Sequence, residues 1–191
     1  MNPLIFDKTF TKENYAENRL VLADYENCTF VDCIFSEAFL SSVSFLECEF
    51  LECDFTNVKI KNTTFKEALF NNCKMVGVPF AEANSLMLSF NCTGCNLSLA
   101  LFYGLELKGF QFKNCNLGQA DFTESNLTQA IFDNCNLENA IFDGTNLEKA
   151  NFSSAYNFTI NPEKNKLKNA IFSRKTIDGL LKKYNIVLDK N

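Results

Sequence analysis

The stretch NLGQADFTESNLTQAIFDNCNLENAIFDGTNLEKANF, residues 116–152, decides the fold. A large apolar residue returns every five positions, at Leu117, Phe122, Leu127, Phe132, Leu137, Phe142, Leu147 and Phe152. Two positions before each stands a small residue: Cys115, Ala120, Ser125, Ala130, Cys135, Ala140, Thr145 and Ala150. This period is neither that of an α-helix nor that of a strand. A fixed self-similar period marks a repeat architecture.

To return one side chain in five to the same axis, the backbone must run in short straight segments joined by regular corners. Four segments close one coil of an all-β solenoid, and neighbouring coils stack at roughly 4.8 Å. The large residue fills the axis and the small one leaves room for it. The other positions point outward and are free to be polar.

Outward from this stretch the lattice runs back through Phe112, Leu107, Phe102 and Leu97, and in the first half through Phe80, Phe70, Phe65, Phe55, Phe50, Phe45, Phe35, Phe30, Tyr25 and Leu20. Phe30, Phe50, Phe70, Phe112, Phe132 and Phe152 recur at coil spacing and are assigned to the core. The register breaks near residues 83–95. Ser85 falls on the axis there, so the chain is expected to deviate locally around Ala83 to Leu88; Phe90 to Leu97 is then a step of seven, with two extra residues entering where Asn91-Cys92-Thr93-Gly94 supplies turn residues. The solenoid is assigned to residues 13–172, after an N-terminal cap at 1–12. A loop near 157–166 precedes the last unit, Ala170-Ile171-Phe172.

Residues 173–191 change character. Ile177, Leu180, Leu181 and Tyr184 stand at helical spacing and predict a C-terminal α-helix. Ile186, Val187 and Leu188 follow as an apolar run. An amphipathic cap of this kind covers the last coil and offers an apolar face to a second copy. Ile177, Leu180, Leu181, Tyr184, Ile186 and Leu188 are therefore assigned to dimerisation.

The chain has nine cysteines, and eight of them occupy the small inward position. Free cysteine behaves there as a small buried hydrophobe, so neither disulfides nor a metal site is expected. Cys92 is off this pattern, but Cys92-Thr93-Gly94-Cys95 has no second pair and the chain has no histidine. No nucleophile–base pair and no glycine-rich phosphate loop is present, so an enzyme is not expected, nor a cofactor. No apolar stretch is long enough to span a membrane and no signal peptide precedes the repeats, so a cytoplasmic protein is expected.

Charge is distributed unevenly. Residues 1–158 carry 20 acidic and 10 basic side chains, a net of −10, and residues 159–191 carry 3 and 8, a net of +5, which together give the −5 of the chain. At 20 residues per coil, Glu47 falls beside Glu67, Asp32 beside Glu52 and Glu17 beside Glu37. Stacked carboxylates repel one another and do not help the fold. They either keep the rod solvated or form a negative surface that competes with DNA for a basic groove. Asp32, Glu37, Glu47, Glu52 and Glu67 are the candidate partner-binding residues.

The units Ala120-Asp121-Phe122 and Ala150-Asn151-Phe152 and the recurring Asn-Leu pairs resemble the pentapeptide-repeat family. That resemblance implies a right-handed quadrilateral β-helix. The layout is similar to the Qnr and MfpA quinolone-resistance members and the microcin-immunity members. It implies a non-enzymatic DNA mimic, homodimeric through its C-terminal module. Such a protein binds bacterial DNA gyrase or topoisomerase IV and protects it from quinolones or toxins, without binding nucleic acid itself. The alternative is a repeat scaffold for an unrelated protein partner.

Overall fold

The computed structural model describes residues 2–187. Short strands occupy two faces of a solenoid: Leu4–Phe6 (β1), Thr9–Thr11 (β2), Asp24–Glu26 (β3), Thr29–Val31 (β4), Ser44–Leu46 (β5), Glu49–Leu51 (β6), Thr64–Lys66 (β7), Ala68–Asn71 (β8), Phe90–Thr93 (β9), Gln111–Lys113 (β10), Ile131–Asp133 (β11), Asn151–Phe152 (β12) and Ile171–Phe172 (β13). They form two parallel sheets, β1-β3-β5-β7 and the nine-stranded β2-β4-β6-β8-β9-β10-β11-β12-β13. The other two faces are joined by single parallel bridges such as Ile34↔Asp54 and Phe39↔Lys59. Nine strands on one face make eight steps, a rod of about 38 Å at the usual strand spacing.

The repeat letters explain the coil. In the second half the residue before the axis residue is commonly Asp or Asn, and its side-chain oxygen accepts the N–H two residues on, as at Asp121 to Thr123 (2.9 Å) and Asn126 to Thr128 (3.1 Å). This pins each straight segment to its corner. The residue two after the axis residue turns most corners with positive φ, as Asn57 (53°), Asn62 (58°), Asn114 (54°) and Asn134 (51°) do. Asn and Gly adopt that conformation at least cost.

Inside, the axis residues stack as flat rings. Phe10, Phe30, Phe50 and Phe70 follow one another at 4.8, 5.0 and 4.8 Å between centroids. Phe112, Phe132, Phe152 and Phe172 do so at 5.4, 4.7 and 5.1 Å. All six assigned core phenylalanines are buried.

Three readings from the sequence change. Leu4–Phe6 and Thr9–Thr11, read as a cap, pair in register with β3 and β4 and form the first coil. The break lies within residues 83–95, as expected, but its two extra residues do not enter between Phe90 and Leu97. Phe70 pairs with Cys92, and Cys92 with Phe112, while Phe90 pairs with Ala68. Cys92 therefore holds the axis position and Phe90 the small one, a large-for-small exchange. The Phe90 ring crosses edge-on beside the gap, 5.7 Å from Phe70 at 89°. The extra residues lie upstream, around the turn Ser85–Met87, where Leu86 is 94% exposed.

The third change is at the C-terminus. In place of an α-helix there are two 3-10 turns, Ile177–Leu180 and Lys182–Tyr184. Gly179 explains this. It is buried against Phe158, and its carbonyl accepts the Ile160 N–H at 3.1 Å. Each turn closes on a residue three back, as in Gly179 to Thr176 and Leu181 to Asp178. So short a segment gains more from docking its backbone on the last coil than from winding alone. Asn185 ends the turns at φ 50°.

Candidate partner-binding surface

The five acidic candidates share one structural position. Asp32 (φ 53°), Glu37 (57°), Glu47 (50°), Glu52 (56°) and Glu67 (54°) all turn corners in the left-handed region. Their side chains are exposed. Their backbones are fixed to the next coil: Asp32 N–H to Leu51 (2.9 Å), Glu37 to Thr56 (2.9 Å), Glu47 to Lys66 (2.8 Å), Glu52 to Asn71 (2.9 Å) and Glu67 to the Ser89 hydroxyl (2.8 Å). Among the described residues none of the five belongs to a salt bridge.

The register brings four of them together. Leu46 pairs with Lys66, so Glu47 and Glu67 occupy one corner on successive coils. Val31 pairs with Leu51, so Asp32 and Glu52 occupy the next corner. The strand face of β4, β6 and β8 lies between these columns. Glu49 points outward from that face and accepts a hydrogen bond from Asn71 Nδ2 at 3.0 Å. Glu37 turns a third corner, beyond Ile34 and Asp54, where Lys74 pairs with Asp54 at 3.2 Å. Asp7 continues the Glu47 column toward the first coil and accepts from Asn27 Nδ2 at 3.3 Å. Counting back by coils from Glu47 finds Asp7 once residues 4–11 are read as a coil.

The corners change along the rod. Six of the twelve positive-φ residues from Asp7 to Asn72 are acidic, whereas beyond them Gly, Asn and Gln prevail and Glu124 is the one acidic residue among the described corners. The acidic corners therefore belong to the first half of the solenoid.

The proposed dimerisation residues divide in two. Leu180 packs on the core of the last coil and Leu181 is half-buried. Ile177 (39%), Tyr184 (49%) and Ile186 (55%) are exposed, with Val187 beside them. Leu188 lies outside the described residues. Glu163 holds this module down, pairing with Lys183 and accepting from the Tyr184 hydroxyl at 2.9 Å. These contacts hold the Glu163 carboxyl below the usual carboxylate range. No helix among the described residues is long and apolar enough to cross a membrane.

Residues 23–62, 48–84 and 120–156 match the pentapeptide-repeat family, with eight copies. No curated protein sequence matches the chain. Among solved structures, a trypsin-treated form of QnrB1, a plasmid-mediated fluoroquinolone resistance protein, is 19% identical over 98% of both chains with a TM-score of 0.50. HetL, a pentapeptide-repeat protein involved in heterocyst differentiation regulation from the cyanobacterium Nostoc sp. strain PCC 7120, is 20% identical over 92% of this chain and 88% of its own, with a TM-score of 0.51.

Proposed function

The chain belongs to the pentapeptide-repeat family, and we propose that it is a non-enzymatic cytoplasmic DNA mimic that binds bacterial DNA gyrase or topoisomerase IV. Two copies join through the C-terminal turns. Two rods of eight steps each then span on the order of 75 Å, the scale of a DNA segment lying across such an enzyme. The acidic corners of each rod occupy the basic groove and shield the enzyme from quinolones or toxins.

One observation carries this reading. Asp32, Glu37, Glu47, Glu52 and Glu67 stand at left-handed corners where Asn or Gly would strain the backbone less. Four of them form repelling columns on successive coils. Fold stability favours neither feature, so a partner for the charge is the simpler account. Converting all five to Lys should abolish binding to purified gyrase while the circular dichroism spectrum stays native. Undiminished binding by that variant would refute the assignment.

A scaffold for a different protein partner is the second reading. It is favoured by the Ser85–Met87 turn, which carries Leu86 out of the rod almost wholly exposed. Under that reading Leu86→Ser abolishes capture of the partner and the acidic corners are dispensable.

A further inference from the structure

The two-residue insertion has joined two short files of cysteine into one. Cys73 and Cys95 bracket it, and the Cys73 carbonyl accepts the Asn96 N–H at 2.9 Å. Cys33, Cys53, Cys73, Cys95, Cys115 and Cys135 consequently occupy the same small inward position on six successive coils. All six are free and buried. They also share one rotamer, because each thiol meets the same two carbonyls, one on the preceding coil and one two residues back. For Cys53 these are Phe30 and Leu51, both at 3.4 Å, for Cys95 Phe70 and Thr93 at 3.4 and 3.5 Å, and for Cys135 Phe112 and Asp133 at 3.3 and 3.4 Å.

With one rotamer throughout, each sulfur sits one coil step from the next, about 4.8 Å. The same step separates the Cβ atoms, whereas a disulfide requires about 3.5–4.5 Å. The file therefore resists internal oxidation and keeps its thiols. A soft or borderline cation binds thiolate sulfur at about 2.3 Å, so a near-linear sulfur–metal–sulfur unit spans about 4.6 Å and matches the step. Three or more metal-type ligands do not converge at any point among the described residues. Tetrahedral zinc is thereby disfavoured and two-coordinate chemistry preferred.

We propose that adjacent thiols of this file form binding sites for a divalent, thiophilic cation of linear preference, of which mercuric ion is the probe. Two S–H bonds break, two sulfur–metal bonds form, and two protons leave to solvent. The product is neutral, as an apolar interior requires; a monovalent cation would leave a buried negative charge. The cation enters from the first coil, where Phe10 and Tyr15 are only partly buried and Glu13, exposed, stands one step below Cys33.

The test is native mass spectrometry of the reduced full chain titrated with mercuric chloride, with ultraviolet thiolate-to-metal absorption and circular dichroism recorded in parallel. Stoichiometric uptake by the native fold is expected. Cys53→Ala should lower the stoichiometry and Val58→Ala, at a small inward position that holds no thiol, should not. Alanine already fills the same inward position at Ala38 and Ala68, so the first variant is expected to fold; Cys115→Ala provides a second. Uptake that needs denaturant, or that falls equally with Val58→Ala, would overturn the proposal.

Discussion

Each residue of the five-letter unit has one physical task, and its substitution should fail in a characteristic way. Phe132 is fully buried between Phe112 and Phe152, stacked on each. Phe132→Ala should cost about 3–5 kcal/mol in a denaturant titration, as a truncation in a core that cannot collapse. A loss well below 1 kcal/mol would contradict the axis assignment. The corner carboxylates predict the opposite sign. Glu47→Asn and Glu52→Asn relieve left-handed strain and a repelling column together, so each should raise stability by about 0.5–1 kcal/mol. A melting temperature lowered by both would remove the main support for a functional charge.

At the scale of elements, the five-residue period made the coil legible because one buried residue per segment leaves an unambiguous trace. The Glu47–Glu67 and Asp32–Glu52 columns were legible by the same count. The break near residues 83–95 was legible from Ser85 on the axis, but the two extra residues were counted after Phe90 because Phe90 and Cys92 exchange size. A phenylalanine at the small position reads as an axis residue, and the register then shifts by two. The C-terminal segment carried a true helical pattern, yet tertiary docking overrode it. Nothing in Thr176–Tyr184 announces that Gly179 lies against Phe158. A Cβ at Gly179 would fall 2.5 Å from both the Phe158 ring and its carbonyl oxygen. Gly179→Ala should therefore lift the turns from the last coil. It should abolish the proposed dimerisation in light scattering while far-ultraviolet circular dichroism of the solenoid persists. A dimer that survives this change would place the interface elsewhere.

For the whole molecule, a continuous apolar interior makes stability depend on keeping buried thiols and phenols neutral. Burial raises Cys48 from 9.0 to about 12 and Tyr25 from 10.0 to about 12. Both groups are charged when deprotonated, so their contribution is complete below pH 9 and is lost as pH rises toward 12. The melting temperature should be flat up to about pH 9 and then fall steeply, and Cys48→Ala should reduce that fall. An unchanged midpoint at pH 11 would mean that these groups titrate as they do in the unfolded chain. Charge along the rod is graded too, from acidic corners in the first half to a basic C-terminal module. Joining the C-terminal ends would hold two acidic arms apart on either side of a less acidic centre.

The most direct measurement is a DNA gyrase supercoiling assay, with and without a fluoroquinolone, comparing the wild-type chain with the Asp32, Glu37, Glu47, Glu52 and Glu67→Asn variant. Wild type should inhibit supercoiling or rescue the enzyme from the drug, and the more stable five-fold variant should do neither. Equal activity of the two proteins, or no effect of wild type on gyrase or topoisomerase IV, would contradict the DNA-mimic account.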